Sequence, residues 1–208
     1  MASTSERYDL AIAGAGIFGL SIAYAGLKAG LKVAVVEARY VGAGASGGLL
    51  GALMPHMPAR WNPKKEFQFQ ALSSLSGHIR DLEQLSGVTC GYKRLGRILP
   101  LTTQDKLDHH LERAEESKQR WQPVETGFSY VVEPQGSRSD WLSAEAAPYG
   151  IVFETLAARV APRLYLKALA SFVATHGLLL EETSVSGFDE AKDVVHLSDG
   201  QTLNATNF

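Results

Sequence analysis

Three glycines and one acid near the start of the chain have the spacing of a dinucleotide-binding site. Gly14, Gly16 and Gly19 form a G-x-G-x-x-G turn, and Glu37 lies downstream. In such a turn the first glycine allows a sharp bend, the second lets a pyrophosphate approach the backbone, and the third lets the helix lie close to the sheet. The acid can accept hydrogen bonds from a ribose diol, and its charge repels a 2′-phosphate. The spacing therefore predicts a dinucleotide site that disfavours an NADP-type ligand.

The elements on either side of the turn have the order that this chemistry requires. Residues 8–13 form a short apolar run, and residues 32–36 form a second, β-branched run that ends at Glu37. The helix between them begins near Gly16, so its unpaired N–H groups and positive dipole end, at Ile17 and Phe18, face the phosphates. A lone glycine motif is a weak signal, but both strands and the acid together make it specific.

A long glycine-rich loop comes after the acid. Residues 38–58 contain glycine at positions 42, 44, 47, 48 and 51. A loop of this length is uncommon without a functional reason. Leu49, Leu50 and Met54 are too apolar for an exposed linker, so we expect the loop to run inward along a ligand.

The same loop contains a second, competing motif. Gly44, Ser46 and Gly48 spell G-x-S-x-G, which is the nucleophile elbow of serine hydrolases. An elbow needs a strand directly before the serine and a helix directly after it. Here a glycine loop precedes Ser46, and Pro55 and Pro58 would interrupt a helix after it, so a hydrolase is the less favoured alternative.

Other chemically capable side chains have simpler interpretations. His109 and His110 are adjacent and therefore diverge around a helix, so no metal site is predicted. Cys90 has no CxxC partner and is expected to be a small buried residue. Lys93 and Arg94, together with the nearby arginine at position 97, are predicted to straddle a hairpin turn and face water, and the three tryptophans are predicted to be packing residues.

Composition limits the possible classes of protein. The chain has 208 residues, 45% hydrophobic and 20% charged, which suits one or two soluble globular domains. A formal net charge of -2 gives no reason to expect nucleic acid or an anionic membrane as a partner. Residues 10–27 lack charge, but their glycines and the preceding Asp9 argue against a membrane span or signal peptide. A single cysteine predicts a reducing, cytoplasmic setting, and nothing in the sequence indicates an oligomeric state.

The later segments predict further elements of an α/β fold. Asn62 and Pro63 are typical of a helix start, and Gly87 of its end. Pro162 begins a helix that runs to about residue 176 and leads into the apolar run 178–180, which we expect to lie beside the opening unit in one parallel sheet. Residues 185–188, 194–197 and 202–205 predict an antiparallel meander.

The chain resembles the FAD-dependent D-amino-acid oxidase and glycine oxidase superfamily, which also contains sarcosine-oxidase-like enzymes. The resemblance rests on the glycine turn, on Glu37, on the loop 42–51, and on residues 159–162, which are similar to a Val-x-Pro entry to a helix. It implies an α/β, Rossmann-like FAD-binding fold of the glutathione-reductase type with a β-rich substrate-domain insertion. The implied domains are a first FAD-binding segment at 1–87, part of a substrate domain at 88–150, and an FAD-binding return segment at 151–208.

The resemblance also implies FAD as cofactor and oxidation of an amine or amino acid, such as a D-amino acid, glycine or sarcosine, by hydride transfer to the flavin. It covers only the first half of such a protein, so substrate-anchoring residues are expected beyond Phe208, and no catalytic residue is assigned. A non-catalytic FAD- or NAD-binding module stays open as an alternative. The residues that the resemblance assigns to FAD are Gly14, Gly16, Ile17, Phe18, Gly19, Glu37, Ala38, Arg39, Ala45, Ser46, Gly47, Leu49, Leu50, Gly51 and Val185.

Overall fold

The structure, a computed structural model, describes residues 6–208. The mixture of helices and strands confirms the predicted α/β class. The strands in these residues are β1 (Arg7–Tyr8), β2 (Leu10–Ala13), β3 (Val33–Val36), β4 (Gly51–Leu53), β5 (Lys93–Arg94), β6 (Arg97–Pro100), β7 (Tyr130–Glu133), β8 (Ile151–Glu154), β9 (Ala158–Val160), β10 (Leu178–Leu180), β11 (Val185–Asp189), β12 (Val194–Leu197) and β13 (Thr202–Ala205). The helices are α1 (Ile17–Lys28), α2 (Pro63–Ser86), α3 (Gln104–Arg120), α4 (Pro123–Thr126) and α5 (Pro162–His176), with single 3-10 turns at Ala45–Gly47 and Ala144–Ala146.

The chain forms two compact units, each assembled from separate stretches of sequence. Unit 1 contains the described residues up to 51 together with 79–91 and 161–208, and unit 2 contains 52–78 and 92–160. Helix α2 therefore contributes residues to both units. That unit 1 binds FAD and that unit 2 belongs to a substrate domain stays a prediction.

Unit 1 contains the predicted parallel sheet, in the order β10-β3-β2. All four residues of β3 are buried, which explains its uninterrupted run of valine and alanine. Leu178 pairs with Ala34, which confirms that β10 lies beside the opening unit. Helices α1 and α5 contact each other through the rings of Tyr24 and Phe172, whose centroids are 4.8 Å apart.

A second sheet in unit 1 has the order β1-β13-β12-β11. Strands β11, β12 and β13 form the predicted antiparallel meander. Strand β1 pairs in parallel with β13, with Arg7 opposite Asn204, and the sequence pattern did not predict this pairing. Tyr8, Ala34 and Leu203 belong to one buried cluster, so the two sheets share a core.

Unit 2 contains two three-stranded sheets, β6-β8-β7 and β4-β9-β5. Trp121 and Tyr130 are the largest of its fully buried side chains. Trp121 therefore packs as predicted, whereas Trp141 is 83% exposed, so its predicted packing role is wrong. The predicted boundaries of α2 are confirmed, because Asn62 Oδ1 accepts from Lys65 N at 3.1 Å and Gly87 adopts φ +68 directly after the helix.

The predicted hairpin around Gly96 is wrong because its two strands pair with different partners. Strand β5 pairs with β9 and β6 pairs with β8. Arg94 donates to the backbone oxygen of Leu156 at 2.5 Å, and Arg97 Nε lies 3.1 Å from Glu154 Oε1. Glu154 is fully buried, and its other oxygen accepts from Leu156 N at 2.8 Å. Arg94 and Arg97 are therefore partly buried cations with internal partners, whereas Lys93 is exposed, as predicted.

A buried imidazole in unit 2 has no role that the sequence predicted. His110 Nδ1 lies 2.6 Å from the hydroxyl of Tyr130. Burial, with a smaller effect from Arg113 and His109, lowers the pKa of His110 to about 4. Since the protonated ring is disfavoured there, the imidazole is neutral at pH 7.

We predict that acid destabilises unit 2 through His110. Its folded pKa of about 4 lies below the ordinary 6.5, so the contribution to stability is fully present above pH 6.5 and is lost as the pH falls toward 4. At about 1.4 kcal/mol per pKa unit this loss is at most about 3.5 kcal/mol. H110N keeps an acceptor and gains no proton, so the fall in Tm between pH 7 and pH 4 should shrink. The exposed neighbour gives the control H109N, and an unchanged profile in H110N would contradict the assignment.

Candidate functional site

The glycine turn joins the end of β2 to the start of α1, and two of its glycines are sterically required. Gly14 has φ +101, a conformation that L side chains rarely adopt. A Cβ at Gly19 would lie 2.0 Å from Gly14 O. Gly14 N donates to Val36 O at 2.7 Å, so the turn is bonded to the end of β3. The local geometry is the one that the sequence predicted for a dinucleotide turn.

The N-terminus of α1 lies beside a serine of the glycine loop. Gly16 is the N-cap residue and offers no side-chain hydrogen bond, and the first turn contains no acid. Ile17 N donates to Ser46 Oγ at 3.0 Å, and a Cβ at Gly16 would lie 3.1 Å from the same oxygen. The side chain of Phe18 is 84% exposed. A helix end of this kind favours an anion such as a phosphate.

Glu37 stands at the carboxyl end of β3 and holds two backbone segments. Its Oε2 accepts from Ala15 N at 2.8 Å, and its Oε1 accepts from Arg39 N at 3.0 Å. Ala38 lies between Glu37 and Arg39 in the sequence. Each carboxylate oxygen has more than one acceptor position, so Glu37 can also accept from a ribose hydroxyl.

The glycine loop returns to the glycine turn. Ala45, Ser46 and Gly47 form a single 3-10 turn. Gly42 N donates to Ala15 O at 3.1 Å, and a Cβ at Gly47 would lie 2.2 Å from Gly42 O. The glycines of this loop therefore allow close backbone contact.

The remaining predicted contacts are more scattered. Leu49 and Leu50 are 84% and 83% exposed, and Gly51 begins β4, so the structure does not bury the apolar part of the loop. Val185 begins β11 and packs against the core of unit 1. Two residues earlier, Thr183 N donates to the backbone oxygen of Glu37 at 3.1 Å, which brings this segment next to the ribose-binding candidate.

Two long-range contacts of the glycine loop escaped prediction. Arg163 Nε donates to Gly47 O at 2.9 Å, and Glu181 Oε1 accepts from Val41 N at 2.7 Å. The partners are 116 and 140 residues apart. No spacing in the sequence signals either contact, because both depend on how α5 and β10 pack.

The structure does not form the competing hydrolase elbow. A turn at residues 41–44 precedes Ser46, and β4 is the next regular element after its own 3-10 turn, whereas an elbow requires a strand and then a helix. Cys90 is fully buried, as predicted. Burial, with a smaller effect from Glu83, raises the pKa of its thiol to about 12, so it is not a nucleophile.

Neither a metal cluster nor a membrane-spanning helix occurs among the described residues. Residues 6–208 contain no group of three or more His, Cys, Asp or Glu side chains that could hold a metal ion. None of the helices in this range is long and apolar enough to cross a membrane.

The sequence of residues 9–207 matches the DAO family, described as FAD dependent oxidoreductase. The chain belongs to this family. The predicted recognition is thereby confirmed, and FAD is the cofactor of the family.

Individual relatives support the same assignment. A glycine oxidase from Geobacillus kaustophilus is 27% identical over 208 residues, covering 97% of this chain and 52% of its own length. A glycine oxidase from Bacillus licheniformis is 31% identical over 139 residues, covering 64% of this chain and 36% of its own. The chain thus spans about half the length of the first relative and about a third of the second. The crystal structure of glycine oxidase from Geobacillus kaustophilus superposes with a TM-score of 0.79 at 23% identity, over 97% of this chain and 54% of that one, which shows the fold alone.

The residues present fit the phosphates and ribose of FAD. A Cβ at Gly16 would lie only 3.1 Å from Ser46 Oγ, and Gly16 supplies no side-chain cap to the adjacent helix end. Glu37 is joined to the same turn by the hydrogen bond that its carboxylate accepts from Ala15 N. A pyrophosphate and a ribose diol are the two groups that such a set recognises.

We predict that Gly19→Ala strongly weakens cofactor binding. Its Cβ would lie 2.0 Å from a backbone oxygen, so α1 must move away from the turn. FAD affinity, measured by fluorescence titration, should fall by more than about tenfold, since even a small displacement breaks hydrogen bonds worth roughly 1 kcal/mol each.

Gly44→Ala is the matched control for this change. A Cβ at Gly44 meets nothing within 4 Å, and its φ of -91 suits any residue. Equal FAD affinity in the two variants would show that the glycine turn is not the binding site.

Proposed function

We propose that this chain supplies the FAD-binding part of an enzyme that oxidises an amine or amino acid, such as glycine, sarcosine or a D-amino acid. The observation that carries the proposal is the convergence of Glu37, the glycine turn and Ser46 at the N-terminus of α1, whose N-cap residue Gly16 offers no side-chain hydrogen bond. Membership of a family of FAD dependent oxidoreductases supports the reaction type. Relatives that are named glycine oxidase support a small amino acid as substrate.

In this proposal each part of the site holds one part of the cofactor. The N-terminus of α1 and the 3-10 turn hold the pyrophosphate, and the end of β3 holds the ribose. The start of β11 contacts the adenine, and the apolar end of the loop contacts the flavin. The residues assigned to the pyrophosphate are Gly14, Gly16, Ile17, Phe18, Gly19, Ala45, Ser46 and Gly47. Those assigned to the ribose are Glu37, Ala38 and Arg39. Val185 is assigned to the adenine, and Leu49, Leu50 and Gly51 are assigned to the flavin.

In this reaction the residues of the chain would hold and orient the cofactor, and they would not transfer protons. When bound, FAD accepts a hydride from the carbon that bears the amine. The exposed Leu49 and Leu50 would lie against the flavin and exclude water from it. No acid–base pair is required of these residues, and the choice of amine is not assigned to any of them. A cytoplasmic location, predicted from the single cysteine, is part of this proposal.

The visible spectrum of the purified protein tests the proposal. We expect a yellow protein, or a colourless one that becomes yellow on reconstitution with FAD, with flavin bands near those of free FAD. A preparation that takes up neither FAD nor colour would rule it out. Bleaching of the bound flavin by glycine, sarcosine or D-alanine without oxygen would identify the substrate class. Tight FAD binding without bleaching by any amine would instead favour a non-catalytic module.

We predict that Glu37→Gln weakens FAD by more than about tenfold. The amide keeps the shape of the side chain but places an N–H₂ group against the backbone N–H of Ala15 or Arg39, which leaves a donor unpaired. It also loses an acceptor for the ribose diol. The dissociation constant of FAD, from quenching of flavin fluorescence, is the measurement.

Asp9→Asn provides the control for this substitution. Asp9 Oδ2 also accepts from a backbone N–H of unit 1, that of Lys32, at 2.8 Å, but it lies away from the glycine turn. If D9N and E37Q lower FAD affinity equally, general destabilisation rather than ribose binding is the cause.

A further inference from the structure

We infer that Arg163 is a positioning residue for the pyrophosphate site, acting through the glycine loop. The inference rests on the proposed function, because it assigns to one residue the task of holding the loop where FAD requires it. Arg163 is absent from the residues that the family resemblance assigns to the cofactor. It acts from helix α5, on the side of the loop that faces a cleft.

The contact is a long-range hydrogen bond to the 3-10 turn of the glycine loop. Arg163 Nε donates to Gly47 O at 2.9 Å. Gly47 directly follows Ser46, whose Oγ accepts from Ile17 N at 3.0 Å. The 3-10 turn is therefore held between two elements, the N-terminus of α1 and the first turn of α5. A shift of Gly47 would carry Ser46 away from the helix end that binds phosphate.

Two long-range hydrogen bonds hold the loop on this side: Arg163 Nε donates to Gly47 O, and Glu181 Oε1 accepts from Val41 N. Of the two, only that of Arg163 holds the 3-10 turn. A cleft of about 860 Å³ lies between the loop and α5. Its lining includes loop residues 40–44 and 47 together with Arg163 and Lys167, but none of the residues of the glycine turn. A loop that borders a cleft lacks the dense packing that fixes a core segment. Its glycines add conformational freedom, which makes an external tether more important.

Helix α5 is well placed to provide this tether. Leu166 contacts the loop so closely that a Cβ at Gly42 would lie 2.6 Å from its Cδ1. Leu169 and Phe172 anchor the helix in the core of unit 1, and Ala161 N donates to Cys90 O at 3.0 Å just before the helix begins. Arg163 therefore extends from a fixed backbone to a turn that is rich in glycine.

A simpler electrostatic role can be separated from this one. Arg163 is exposed, and its charge alone could attract phosphate from a distance. Lys167 stands one helical turn further along and lines the same cleft. Within residues 6–208 it forms no ion pair or hydrogen bond with the loop. A charge effect would be shared by both residues and weakened by salt, whereas the hydrogen bond belongs to Arg163 alone.

The experiment compares R163M, R163K and K167M with the parent protein. Met keeps the apolar stem and removes the charge and donors, and Lys restores the charge without the planar guanidinium. We measure FAD affinity by fluorescence titration at low and high salt, and hydrogen exchange of residues 42–48 in the apoprotein. R163M should bind FAD roughly five- to tenfold more weakly at both salt concentrations, with faster exchange in the loop. R163K should remain weakened, and K167M should match the parent.

Each other result has a definite meaning. Equal FAD affinity in R163M and K167M, or full recovery in R163K, would overturn the positioning role. If the parent itself fails to bind FAD, the proposed function fails, and loop exchange then decides the inference separately. Hydrogen exchange of the loop in R163M at the parental rate would overturn the positioning role of Arg163. Faster exchange would support Arg163 as the residue that fixes the loop.

Discussion

The carboxylate of Glu37 is the interaction on which the site of unit 1 depends. Its two oxygens accept from Ala15 N and Arg39 N, so one side chain fixes the start of the glycine turn and the departure of the chain from β3. A charged acceptor makes hydrogen bonds about twice as strong as a neutral one. The buried strand β3 holds Glu37 at the edge of the sheet, and the position of the turn then sets where α1 begins.

Close backbone approach is the second constraint, and it explains why glycine recurs. Cβ atoms at positions 19 and 47 would meet backbone oxygens at 2.0 and 2.2 Å. Ser46 reaches Ile17 N because the turn and the loop lie almost in contact. Glycine is therefore used here for space, and the stiffness of the loop comes from its hydrogen bonds.

Structural features that depend on neighbouring residues could be predicted from the sequence, whereas contacts between residues far apart in the sequence could not. The glycine turn, the cap at Asn62 and the parallel placement of β10 follow from short-range rules that connect residue type with backbone geometry. The contacts of Arg94 and Arg97 with internal acceptors were missed because a basic cluster beside a turn is usually solvated, and these contacts depend on strands more than fifty residues away. Arg163 was missed for the same reason.

The pairing of β1 with β13 has a consequence for how the protein is made. Arg7 lies opposite Asn204, so the edge of this sheet cannot close until residue 204 has been synthesised. At roughly 5–20 residues per second on a ribosome, this takes about 10–40 s. During that time the apolar strands β2 and β3 have emerged without β10 or the meander to cover them. Exposed apolar surface and unpaired strand edges of this kind are what makes a partly folded chain prone to aggregate.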